Sequence, residues 1–247
     1  MNSHIQVPKC VLKNFSNEKK SLYYYDVKKE CIKIGSAKTL NTSEGYYSKK
    51  VEDILSAEIE SPLGQLIALL QKIYKVLLNT NKIYLEITYQ HHQIIKNYLY
   101  ALLFRSPQVA GKVAKNFIFR NFFSKQYIHD FTFVDGYEIA RDEAFLNHYN
   151  ITFIFCDDSA EFMLSMSGYC SFKNGDIECI VIPLTKKIAI YMYKSQNVLN
   201  AVLRVGQGYV DEVNKITFIQ QTKRSQGFIV ASNKQYIEKI KTAIRSN

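Results

Sequence analysis

The spacing of apolar positions changes near residue 150, and that change sets the expected order of elements. Between 48 and 78 the apolar side chains fall at Leu55, Ile59, Leu63, Leu66, Ile67, Leu70, Ile73, Tyr74 and Leu77. Steps of three and four predict a long amphipathic helix. Pro62 lies inside it and frees the carbonyl of Glu58, so a kink is predicted there. A second long helix is predicted over 83–104, ended by Arg105-Ser106-Pro107. Ser106 then caps a third helix with Pro107 at its first position, running through Val109 and Val113 towards Phe123. A shorter helix is predicted around 137–148.

Beyond residue 150 the apolar runs are short. Those at 151–156, 162–167, 178–182 and 188–193 are separated by Asp, Gly or Pro and predict strands of a mainly antiparallel sheet. A helix at 209–223, a strand at 228–230 and a helix at 234–244 follow. At the other end, Pro8 opens a short helix carrying Val11, Leu12 and Phe15 on one side. Runs at 22–27 and 31–34 flank the charged turn Lys28-Lys29-Glu30 as a hairpin. The expected class is α+β: an N-terminal short helix and hairpin, long central helices, and a C-terminal mainly antiparallel sheet with covering helices. No linker, repeat or low-complexity tract interrupts the 247 residues, so one domain over 1–247 is expected.

Composition narrows the function classes. Lys and Arg number 32 against 22 Asp and Glu, a formal charge of +10, which favours polyanions and nucleic acid first among them. Codon bias alone produces the same balance in many Lys/Asn/Ile-rich proteins, so the location of the charge matters more than its sum. Cys10, Cys31, Cys156, Cys170 and Cys179 form no C-x-x-C pair and have no histidine at ligand spacing. This argues against a zinc site or a disulfide framework and for a reducing cytoplasm. No signal peptide is read, because Lys9 and Lys13 interrupt the start, and no apolar run approaches the roughly 20 residues of a membrane span. A cytoplasmic protein with no membrane partner, no metal and no cofactor is expected.

Several short motifs then line up in order. They are His4-x-x-Val7-Pro8 with Leu12 and Phe15, Tyr46-Tyr47-Ser48, Ile59-Glu60, Arg105-Ser106-Pro107, Pro183-Leu184-Thr185 and Asn214 within Val213-Asn214-Lys215. Together they resemble the bacterial family catalogued as domain of unknown function 4238. Where that family carries Ser-Asp-Asn-Pro, this chain has Ser165-Met166-Ser167-Gly168. The resemblance implies a divergent member whose acidic residue is lost, or replaced from nearby by Glu161 or Asp158. Members of the family sit among mobile and defence genes. By analogy this implies a phage-defence module and a protein partner from the same operon.

The candidate catalytic residues are His4, Glu60, Arg105 and Ser165. His4 has a side chain suited to proton transfer near neutral pH; its structural alternative is a cap on the helix at Pro8. Glu60 lies beside the Pro62 kink; the alternative is an ordinary surface carboxylate. Arg105 could grip a phosphate or carboxylate, yet a cation at a helix C-terminus is favourable in itself, and a Glu60–Arg105 pair between the long helices would be structural. His91 reads as a core histidine and His129-Asp130 as a loop dipeptide. Gly206-Gln207-Gly208 lacks the preceding strand and third glycine of a dinucleotide fingerprint.

Two basic stretches are candidate nucleic-acid contacts. Lys112, Lys115, Arg120 and Lys125 occur with no acid among Phe117, Phe119, Phe122, Phe123 and Tyr127. From Asn214 onward Lys215, Lys223, Arg224, Lys234, Lys239, Lys241 and Arg245 face only Glu238. Cations supply salt-dependent phosphate affinity and exposed aromatics stack bases. Lys223 and Arg224 are singled out in the second stretch. The leading expectation is a protein that binds or acts on nucleic acid. The alternative is a non-catalytic protein–protein interaction module that has lost an ancestral active site.

Overall fold

The computed structural model describes residues 2–78, 87–116, 124–143, 148–195 and 202–246. Its class is α+β, with antiparallel sheets and several helices. The chain opens with β1 (Asn2–His4), α1 (Lys9–Leu12) continued by a 3-10 turn to Phe15, β2 (Leu22–Asp26), β3 (Cys31–Gly35) and β4 (Thr42–Glu44). Then come α2 (Lys49–Ile54), a π-helical segment (Leu55–Glu60), α3 (Ser61–Leu77), α4 (Tyr89–Phe104), α5 (Pro107–Asn116) and α6 (Lys125–Glu143). The remainder is β5 (Asn150–Cys156), β6 (Leu164–Ser165), β7 (Cys170–Asn174), β8 (Ile177–Pro183), β9 (Ile188–Tyr193), β10 (Leu203–Val205), α7 (Gln207–Thr222), β11 (Phe228–Ala231) and α8 (Lys234–Arg245).

Among the described residues three sheets form, in the orders β1-β4, β10-β5-β9-β8-β7 and β3-β2-β11-β6. Every pairing among these strands is antiparallel except β10 on β5. β5 lies between two neighbours and is apolar on both faces, which explains its unbroken Ile-Thr-Phe-Ile-Phe-Cys run. Ile151, Phe153 and Phe155 face the principal core with α3 and α4, whereas Ile154 and Cys156 face Val210 and Val213 of α7. The second large sheet is divided in the same way. Phe228 and Val230 join the principal core, and Ile229 and Ala231 pack under Ile237 and Ile240 of α8.

The Pro62 kink takes a specific form. Ser61 N–H reaches back five residues to the Ser56 carbonyl, and Pro62 enters α3 in its first turn, where no N–H is required. The buried positions Val51, Leu55, Ile59 and Leu63 recur every fourth residue. On an α-helix that spacing drifts about 40° per step. The wider π turns hold these residues on one buried stripe.

Three sequence expectations shift, and a fourth falls outside the described residues. The helix expected at 137–148 is α6 and begins at Lys125, while 144–147 lie outside the described residues. The described part of the helix expected at 83–104 begins at Tyr89, capped by Thr88, and 83–86 lie outside the description. The continuation of α5 through 117–123, including Arg120, also lies outside the described residues. The strand expected at 162–167 shrinks to Leu164–Ser165, because the preceding backbone bonds elsewhere. Met163 N–H donates to Asn214 Oδ1 at 2.8 Å, Asn214 Nδ2 donates to the Glu161 carbonyl at 2.8 Å, and Phe162 N–H donates to the Lys186 carbonyl at 2.8 Å.

Candidate functional site

Residues 4–7 lead from the end of β1 through a bend at 5–7, and their backbone groups are heavily engaged. Arg105 Nη2 donates to the His4 carbonyl. Ile5 N–H donates to the Asn41 carbonyl at 2.7 Å, and the Ile5 carbonyl accepts the Tyr47 hydroxyl at 3.3 Å. With its amide turned to satisfy both groups, Asn41 accepts from Gln6 N–H and Val7 N–H at 3.1 Å each. Gln6 Nε2 donates to the Leu102 carbonyl of α4 at 2.9 Å. The segment is therefore tied to the 36–42 loop, to Tyr47 and to the C-terminal half of α4.

Three of the sequence-predicted site residues meet here. Arg105 follows α4 directly and is 2% exposed. Its Nη1 lies 3.3 Å from Glu60 Oε1, and its guanidinium carbon lies 5.7 Å from the Tyr47 ring centre. The expected Glu60–Arg105 pair is present. The His4 ring does not cap α1; its Nε2 lies 2.9 Å from the Ala37 carbonyl, a bond that requires the Nε2-protonated tautomer when the ring is neutral. Arg105 Nε, the Tyr98 and Tyr46 hydroxyls and Gln6 Oε1 are buried without hydrogen-bond partners among the described residues. Burial pushes the Cys10 thiol and the Tyr46 hydroxyl up to about 12, and raises the Tyr98 hydroxyl well above its ordinary value, so these groups stay protonated. None is an activated nucleophile.

Burial also lowers the His4 imidazole below its ordinary 6.5. The Ala37 bond and Glu60 oppose that shift, and Arg105 and Lys9 add to it. His92 and His129 are likewise lowered by burial. Between the folded and unfolded values such histidines bind fewer protons when folded, so stability rises with pH there. Their contribution is complete above about pH 6.5 and is lost as pH falls toward the folded values. The urea midpoint at about pH 5 is expected below that at about pH 7.5, and His4→Gln should reduce the difference. An equal difference in His4→Gln would remove His4 from this effect.

Ser165 stands apart from the three. It sits in β6 opposite Ile229, is buried, and its hydroxyl donates to the Tyr169 carbonyl at 3.4 Å. The loop after it is structural in its contacts. Ser167 donates to Gln221 Oε1 through both its N–H, at 3.4 Å, and its hydroxyl, at 3.2 Å. Gly168 has φ +80°, and a Cβ there would come within 2.6 Å of Leu102. Of the two acids considered as substitutes, Asp158 accepts the Tyr74 hydroxyl at 3.2 Å. Glu161 accepts the Ser232 hydroxyl and lies 3.5 Å from Lys186 Nζ.

Among the basic residues, Lys112 and Lys115 are exposed on α5 and Lys125 is exposed at the start of α6. None of the three is in an ion pair among the described residues, and the same holds for Lys223 and Arg224 in the turn after α7. The rest of the C-terminal stretch is largely engaged. Lys215 pairs with Glu212 at 3.4 Å, Lys234 with Glu238 at 3.2 Å and Lys239 with Asp211 at 2.7 Å, and Lys241 lies over the Tyr25 ring.

Other residues take roles that their sequence neighbours did not announce. His91 is not a core histidine: its Nδ1 accepts Thr88 N–H at 3.3 Å, and its own N–H donates to the Thr88 hydroxyl at 3.4 Å. The pair caps α4. His129 and Asp130 belong to α6 rather than to a loop. The His129 ring stacks on Tyr46 at 3.9 Å, and Asp130 accepts Ser48 N–H at 3.0 Å. Tyr98, seven residues before Arg105, shares its face of α4, and that spacing was the available signal. Gly206 does follow a strand, β10, yet Asp157 already supplies a carboxylate beside the start of α7, 3.7 Å from where a Gly206 Cβ would lie.

Among the described residues no cluster of His, Cys, Asp and Glu is placed to hold a metal ion, and no helix is long and apolar enough to cross a membrane. No family model, curated protein or solved structure matches this chain. The resemblance noted above therefore stands on its sequence motifs alone.

Proposed function

We propose that the protein binds nucleic acid through exposed lysines of α5 and α6, with His4, Glu60 and Arg105 fastening the N-terminal segment rather than performing chemistry. The observation that carries this is the set Lys112, Lys115 and Lys125, exposed and in no ion pair among the described residues. An unpaired surface ammonium exchanges counterions for a phosphate at little cost, whereas one held by a carboxylate does not. The formal charge of +10 acts in the same direction at longer range. The family resemblance supports the setting: a bacterial cytoplasmic defence module with a partner encoded alongside.

The alternative, an interaction module that has lost an ancestral active site, draws on the Ser165–Gly168 loop. Its residues bond and pack within the fold, and Met166 stands where the family has its acid. Binding to single-stranded and duplex RNA and DNA across a salt series, with a nuclease assay alongside, separates these readings. Affinity that falls steeply with salt and no strand cleavage is the expected result. Salt-independent binding, or none at low ionic strength, favours the interaction module. Cleavage abolished by His4→Ala in a folded protein would return His4 to a catalytic role.

A further inference from the structure

A cleft of about 430 Å³ opens between α4 and the far end of the β7–β8 hairpin. Strand alternation explains its lining. Ser171 lies opposite Ile180 and Lys173 opposite Glu178, all on the face of the hairpin toward α4. Tyr169 precedes the strand on the same alternation, Leu99 and Leu103 of α4 supply an apolar floor, and Tyr149 enters from the residues before β5. The Phe172 ring, on the opposite face, packs with the cluster under α7. The Tyr149 hydroxyl donates to Glu178 Oε2 at 3.2 Å, and Lys194 Nζ lies 4.0 Å from the same oxygen. Among the described residues, Glu178 Oε1 accepts no hydrogen bond and Lys173 Nζ is in no ion pair.

Two tyrosines, an apolar floor, a free carboxylate oxygen and an unpaired ammonium are thus grouped in a volume typical of small-ligand sites. Resting on the nucleic-acid reading above, we propose that this cleft seats one nucleobase. The ring packs against the tyrosines, an amino or ring N–H of its edge donates to Glu178 Oε1, and Lys173 meets the adjoining phosphate. A carboxylate only accepts, and the N3–H of uracil lies between two carbonyl oxygens that a carboxylate repels, so the cleft selects bases with an exocyclic amino group over uracil. Ser171, Lys173 and Glu178 are exposed at the rim, which leaves the entrance open. The same chemistry is offered by a base within a single strand and by a free nucleotide.

Equilibrium dialysis with GMP, guanosine and UMP, and with a short single-stranded RNA, separates these sources and tests the site. GMP is expected to bind more tightly than UMP. Tyr169→Ala should weaken both GMP and RNA about tenfold, the scale of losing one base–aromatic stack. Lys173→Gln, a change on an exposed strand position, should weaken GMP but leave guanosine unchanged, and so reads the site even if Tyr169→Ala does not fold. If the RNA binds and keeps full affinity in both variants, the cleft proposal is overturned while nucleic-acid binding stands. If GMP binds as proposed and no RNA binds, the ligand is a free nucleotide, and the cleft survives the loss of the broader reading. If neither binds, both fail.

Discussion

Glu60→Ala is expected to destabilise the fold by about 2–3 kcal/mol, although Glu60 itself is partly open to water. The cost arises at its partner. Arg105 is 2% exposed, and removing Glu60 leaves its guanidinium buried with no carboxylate partner among the described residues, held by the His4 carbonyl and the Tyr47 ring. Removing one member of a buried pair costs about 3–5 kcal/mol because the other charge stays uncompensated. The Glu60 side chain keeps 29% exposure, so water fills part of its place and the lower figure applies. The double variant Glu60→Ala, Arg105→Met removes the stranded charge and should be more stable than Glu60→Ala alone. Urea denaturation of the three proteins checks this order. A Glu60→Ala midpoint equal to that of the parent would show that the pair does not hold the segment.

Asn214→Ala should be at least as damaging, by about 2–4 kcal/mol, for a different reason. Asn214 is fully buried in α7, and its amide replaces a strand neighbour for residues 161–163, accepting from Met163 N–H and donating to the Glu161 carbonyl. Alanine leaves both backbone groups buried and unpaired, each at about 1–3 kcal/mol. Asn214→Asp keeps the acceptor and loses the donor, so it should also destabilise, with the burial of a charge added. Thermal denaturation with far-UV circular dichroism reads both variants. A loss below about 1 kcal/mol for Asn214→Ala would mean that the 161–163 backbone finds other partners.

The parts of the fold that were legible in the sequence share one property: their burial matches their own apolar pattern, an unbroken run in the central strands and a helical stripe in the helices. β5, β8, β9, α7 and α8 are of this kind. Several described elements that escaped in whole or in part, such as the first half of α6, have a pattern set from outside. α6 carries Phe131, Thr132, Phe133 and Val134 in succession, and these are buried unevenly against α4 and α2, so no helical stripe stands out. β7 is a polar edge strand. β10 is three residues long and owes its place to β5.

The candidate site divides in the same way. Glu60 and Arg105 were legible because a buried arginine after an apolar helix calls for a carboxylate on the helix beside it. The meeting of His4 with them was not, since Arg105 bonds the His4 carbonyl, which every residue has. Ser165 failed to join them because the 165–168 loop is drawn to Gln221 and Leu102. The 149–180 cleft left no motif, because its residues become neighbours only through strand register and the approach of α4.

The most direct test of nucleic-acid binding is the slope of log K against log salt for duplex DNA. It should be measured on the parent chain and on the variant Lys112→Gln, Lys115→Gln, Lys125→Gln. If these lysines each neutralise a phosphate, the variant binds more weakly on all sequences and its slope is shallower by about 2–3 units. An unchanged slope in a folded variant would contradict contact through α5 and α6, and no binding by the parent at low salt would contradict nucleic-acid binding altogether.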